Sequence, residues 1–145
     1  MRVYLDTCVW FRQFDDHAQP RVAAEAAAFW EIIDGVTEGR LELVTSSALS
    51  YEIALHSTPD ERETVKLALE MAVEHVPVTD EVVARSNELL TASVRNIDAL
   101  HVAAAEAGRA DVLVTCDDRF LRRARRCQTS VEILSPIEFA QRMSP

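Results

Sequence analysis

The stretch NIDALHVAAAEAGRADVLVTCDDRFLRRA, residues 96–124, decides how this chain folds. Asn96 is a helix-capping residue type, the apolar run from Ile97 to Ala107 predicts a helix, and Gly108 predicts its end. Val112-Leu113-Val114 then reads as a short strand, and Thr115-Cys116-Asp117-Asp118 leads from it into an arginine-rich helix. Helix, strand, acid and helix in that order place Asp117 at the carboxyl end of a strand, where α/β proteins gather ligands.

The same pattern opens the chain. Val3-Tyr4-Leu5 is an apolar run ending at Asp6-Thr7, and Cys8, Val9, Trp10, Phe11 and Phe14 follow with helical spacing. Leu41 to Val44 reads as a second strand, with Thr45-Ser46-Ser47 capping a helix that carries Glu52 and His56. Between them, Pro20 starts an amphipathic helix that Gly39 ends. Helices are expected from Thr58-Pro59 to Met71 and from Thr79 to Val94, with a strand at His75 to Val78 between them. Val131 to Leu134 and Ser135-Pro136 predict a last strand and helix. Alternating strands and helices imply an α/β/α sandwich around a mostly parallel sheet.

At 145 residues, one domain spanning 1–145 is expected. The hydrophobic fraction of 48% and charged fraction of 27% are those of an ordinary globular protein. No apolar run suits a membrane, and Asp6 interrupts any signal-peptide core, so a cytoplasmic location is expected. Cys8, Cys116 and Cys127 form no CxxC pair and read as reduced thiols. The formal net charge of −9 excludes a general phosphate-coating surface, so binding to nucleic acid must be local. The cluster Arg119, Arg122, Arg123, Arg125 and Arg126 is the one place that fits, and it follows Asp117.

Asp6 and Asp117 both follow strands, while Glu52 and Asp98 lie in the first turns of apolar helices that can reach the same edge. Two carboxylates about 4 Å apart repel by about 4 kcal/mol at an effective dielectric of about 20, which a divalent cation relieves. Hard oxygen donors select Mg²⁺ or Mn²⁺, ions that activate water toward phosphodiesters. Each acid also has a plain reading as a helix cap. Glu52 and Asp98 are harder to dismiss, because a charge among Ala, Leu and Ile residues needs a partner.

Four segments resemble the PIN-domain family, including the VapC toxins of type II toxin–antitoxin pairs, over essentially the whole chain. VYLDT resembles the first strand and its catalytic Asp, here Asp6; TSSALSYEIA resembles the segment bearing the catalytic acid, here Glu52. Asp98 matches the Asp of the family's D-A pair, and Asp117 the acid of its T-x-D motif. The resemblance implies a five-stranded parallel sheet and an Mg²⁺- or Mn²⁺-dependent ribonuclease. Asp6, Glu52, Asp98 and Asp117 are the implied catalytic and metal-binding residues. RNA is the implied substrate and a small antitoxin the implied partner. Cys8 stands where many members carry Asn, and Arg119 where many carry a further acid, leaving Asp118 as a substitute.

Thr7, Ser46, Thr115 and Asp118 are candidate supporting groups around the acids. Arg119, Arg122 and Arg123 are candidate RNA-backbone contacts. His56 and His101 each follow an acid by about one helical turn and read as its hydrogen-bond partner or as packing. Trp10, Phe11 and Phe14 form either core or a docking face. The amphipathic stretches 20–38 and 59–72 suit an antitoxin or a homodimer. A dehalogenase-like phosphatase or a receiver domain is excluded, since position 8 is Cys and Lys66, the only lysine, is misplaced. The remaining rivals are a PIN-like RNA- or protein-binding module without cleavage and a solitary nuclease with no antitoxin.

Overall fold

A computed structural model describes residues 1–90, 94 and 96–144. Five strands form one sheet in the order β3-β2-β1-β4-β5: β1 (Arg2–Leu5), β2 (Glu42–Ser46), β3 (Glu74–Val76), β4 (Val112–Val114) and β5 (Glu132–Leu134). Every pairing is parallel, with Tyr4 opposite Val44 on one side and Leu113 on the other. The chain steps from β1 outward through β2 to β3, then returns to β4 on the far side of β1. The reversal lies between β1 and β4, where open parallel sheets form a crevice at their carboxyl ends.

The helices are α1 (Thr7–Phe11), α2 (Pro20–Thr37), α3 (Ser47–Ala54), α4 (Pro59–Ala68), α5 (Asp80–Leu90), α6 (Asn96–Ala107), α7 (Asp118–Arg125) and α8 (Pro136–Met143). Right-handed crossovers that step in opposite directions put their helices on opposite faces. Accordingly α2 packs with α1 and α8, while α5 and α6 pack together and α6 lies across β2, β3 and β4. The inner strands are buried on both faces: Val3, Tyr4, Leu5, Leu43, Val44 and Val112 to Val114 are at most 1% exposed. Trp10 is fully buried, edge-on to Phe29 at 5.7 Å, which makes it core and removes it from any docking face.

Element ends differ from expectation for local reasons. β2 runs on through Thr45 and Ser46, so α3 starts at Ser47 and Glu52 falls in its second turn rather than its first. Asn96 is the first residue of α6 instead of its cap. The expected helix to Val94 is observed to Leu90, and 91–93 lie outside the described residues. β3 is shifted to Glu74–Val76 by its pairing with Val44 to Ser46. Gly39 ends α2 as expected, with φ of +78° that a side chain would strain. Gly108 acts differently. Arg109, not Gly108, takes the left-handed turn, with φ of +54°. A Cβ on Gly108 would sit 2.6 Å from Val44 Cγ1 and 2.9 Å from Val76 Cγ2, so glycine there lets α6 close onto β2 and β3.

Candidate metal-dependent active site

Asp6 stands at the end of β1, and its backbone N–H continues the ladder by donating to Val114 O at 2.9 Å. Its side chain caps α1: Oδ1 accepts from Thr7 N at 2.8 Å, and Oδ2 accepts from Thr115 Oγ1 at 2.8 Å and from the Cys8 thiol at 3.3 Å. The residue is only 6% exposed. Cys8 Sγ in turn accepts from Cys116 N at 3.2 Å. The Cys8 thiol thus supplies a hydrogen bond to Asp6. Hydrogen bonding with Cys116, then burial, push the Cys8 thiol well above its usual range, which keeps it protonated as a donor.

Glu52 reaches this edge from α3. Its Oε1 accepts from Thr7 Oγ1 and, at 2.7 Å, from His101 Nε2. Burial opposes ionisation of Glu52, but the hydrogen bonds from His101 and Thr7 outweigh it and hold the carboxyl below the usual range. Burial likewise opposes charging His101, and the bond to Glu52 with the charges of Asp6 and Asp98 overcomes it and raises the imidazole. His101 pairs with Glu52, not with Asp98 on its own helix. His56 stacks on Phe11 at 3.8 Å and meets Glu61, away from Glu52.

Asp98 sits half-buried in the first turn of α6. Burial, then the charges of Asp6, Asp117 and Glu52, push its carboxyl up to about 6 against the opposing pull of His101. The charges of the other three acids therefore act on Asp98, on top of its burial. Asp117 is exposed and caps α7, accepting from Arg119 N at 2.9 Å and Phe120 N at 3.2 Å. Thr115 Oγ1 joins the two strand ends by donating to Asp6 and accepting from Asp117 N at 3.1 Å.

The supporting candidates separate by what they touch. Thr7 and Thr115 contact the acids directly. Ser46 caps α3 through Leu49 N and bonds the Tyr4 hydroxyl at 2.6 Å, one step removed. Asp118 is exposed and held by both terminal nitrogens of Arg21, at 2.7 and 2.9 Å, and that hydrogen bonding keeps its carboxyl low. Arg21 also donates to Cys116 O at 3.2 Å, so α2 braces the loop before α7. Arg119 and Arg122 are exposed and Arg123 is half-buried on α7. None of the three forms a salt bridge among the described residues.

Among the described residues, ligand atoms of Asp6, Glu52 and His101 come within 4.8 Å of one another. This trio differs from the four-acid set, and the hydrogen bonds explain how to read it. His101 has both ring nitrogens engaged, so its role toward Glu52 is that of a donor. The oxygens of Asp6 and Glu52, with Asp98 beside them in charge, make a hard donor set that fits Mg²⁺ or Mn²⁺.

A family model for the PIN domain matches residues 3–126. The chain belongs to the PIN domain family. A comparison with curated proteins finds no match. Among solved structures, this PIN domain is similar to a chain of VapBC2 from Rickettsia felis bound to a DNA fragment from their promoter. Identity there is 16%, with 93% of this chain and 98% of that chain covered and a TM-score of 0.64. It is also similar to VapBC-1 from nontypeable Haemophilus influenzae, at 15% identity, 94% and 98% coverage and a TM-score of 0.57. At such identities the likeness speaks to fold, and it agrees with the five-stranded parallel sheet. Sequence reading of the PIN domain missed Tyr4, Arg21 and the His101–Glu52 bond. The signals were present: a hydroxyl inside an apolar strand and an imidazole inside an alanine-rich helix both demand buried partners.

Proposed function

We propose that this PIN domain is an Mg²⁺- or Mn²⁺-dependent endoribonuclease and the toxin of a type II toxin–antitoxin pair. The observation that carries the reading is the gathering of Asp6 and Glu52, with His101, to within 4.8 Å of one another at the carboxyl edge of the sheet, where their charges also act on Asp98. PIN domains are typically metal-dependent nucleases, and this cluster has the donors for it. Asp6, Glu52 and Asp98 would hold the cation, with Asp117 adding charge from the start of α7. A cation held there would supply Lewis-acid stabilisation of the phosphodiester and a more acidic water for in-line attack. Thr7 and Thr115 keep Glu52 and Asp6 turned to the cluster. Arg119, Arg122 and Arg123 grip the RNA backbone that a chain of net charge −9 otherwise repels.

The partner reading follows from fold likeness to VapBC proteins, together with Tyr51 on α3, Leu55 at its C-cap and Leu67 on α4, which are 64%, 67% and 68% exposed. Such apolar exposure on adjacent helices suits a protein partner, either a small antitoxin or a second copy in a homodimer. No helix of the described residues is long and apolar enough to cross a membrane. The test is cleavage of labelled RNA by purified protein. Activity should need added Mg²⁺ or Mn²⁺ and vanish in folded Asp6→Asn. Cleavage in chelator, or full activity of that variant, would remove the metal mechanism; folded protein that binds RNA without cutting it would favour the binding-module reading.

A further inference from the structure

The Glu52 carboxylate hangs from a helix by three rotatable bonds, and its side chain is 29% exposed. Thr7 and His101 both donate to the same oxygen, Oε1. His101 itself is fully buried, and its Nδ1 shares a 2.6 Å hydrogen bond with the Tyr4 hydroxyl. Tyr4, also fully buried, reaches Ser46 Oγ at 2.6 Å, and Ser46 caps α3, the helix that carries Glu52. The path therefore closes on itself through β1, β2, α3 and α6. Each polar atom along it is satisfied inside the protein, which fixes the plane of the imidazole.

We infer that His101, held in orientation by Tyr4, is a positioning residue that pins Oε1 of Glu52 and leaves Oε2 as the oxygen presented to the metal. The inference rests on the metal-dependent reading of the site. A competing role as a direct ligand fits less well, because Nε2 is bonded to Glu52 and Nδ1 to Tyr4, and hard cations favour oxygen. Partners of metal-binding side chains commonly set affinity by about 10–100-fold, through orientation rather than contact.

The test measures Mn²⁺ binding directly, by electron paramagnetic resonance titration of the purified full chain, alongside thermal melting to confirm folding. His101→Ala should weaken Mn²⁺ binding by about 10–100-fold. His101→Gln, whose amide N–H can reach the Nε2 position, should recover most of it. Tyr4→Phe should weaken binding severalfold with His101 present and have no effect in the His101→Gln background, where no Nδ1 remains to orient. Wild-type affinity in folded His101→Ala overturns the inference, as does a Gln variant no better than the Ala variant. Should His101→Ala fail to fold, the Tyr4→Phe pair decides: an equal loss in both backgrounds overturns it. If the wild type binds no Mn²⁺ at all, the metal-dependent reading falls and the inference with it; binding with unaffected variants removes the inference alone.

Discussion

At the scale of single residues, the acids of the site differ in what holds them. Asp6 and Glu52 each accept hydrogen bonds from hydroxyls, whereas Asp98 is raised to about 6 by burial and by its charged neighbours. A carboxyl raised above its unfolded value of about 4 binds its proton more tightly when folded, so the folded state is favoured below that pH. This contribution is lost as pH rises through about 6, where Asp98 must ionise among other acids. Asp98→Asn should therefore stabilise the metal-free protein at pH 8 by about 1 kcal/mol, after discounting for solvent screening, and change little at pH 4. Urea denaturation in chelator at both pH values checks this. No gain at pH 8 would contradict the uncompensated cluster. The same variant should lose metal-dependent cleavage, so its gain in stability comes with a loss of function.

Among the elements, α7 shows how one acid can serve structure and chemistry together. Asp117 caps the helix through Arg119 N and Phe120 N while adding charge to the cluster. Removing a cap costs about 1 kcal/mol, but Asn caps as well as Asp. Asp117→Ala should lower stability by about 1 kcal/mol and impair cleavage, whereas Asp117→Asn should impair cleavage at wild-type stability. Melting curves and RNA cleavage on the two variants separate the roles; equal activity in Asn and wild type would leave Asp117 as a cap alone. The elements were legible where their signals were local. Pro20 and Gly39 bound α2, and Val112 to Val114 form β4, because capping and periodicity act within a few residues. β2 and β3 shifted because their ends are set by pairing with neighbouring strands.

For the whole molecule, charge is the governing quantity. Exposed Arg119 and Arg122 and half-buried Arg123 concentrate positive charge beside the acidic site of a chain carrying −9 overall. If they carry the RNA backbone, replacing all three by Ala in a cleavage-dead Asp98→Asn background should flatten the dependence of log affinity on log salt by about 2. Each single-strand phosphate contact is worth roughly 0.7 of slope. Stability should stay within about 0.5 kcal/mol, as for surface substitutions without a structural partner. Fluorescence anisotropy of labelled RNA across a salt series reads both affinity and slope, and an unchanged slope would move the RNA path elsewhere.

By itself the sequence determined the α/β architecture and marked the four acids as candidates, since strand, acid and helix recur as local patterns with their own capping chemistry. The PIN resemblance was carried by the same short motifs. Only the tertiary structure decided which groups serve which acid. Thr7 meets Glu52 across 45 positions of sequence, His101 meets it across 49, and Thr115 meets Asp6 across 109. Those pairings exist because β1 lies between β2 and β4 and α6 crosses beneath them, a matter of packing distance that no local periodicity records. A hydrogen bond requires atoms within about 3 Å, and the fold alone brings them there.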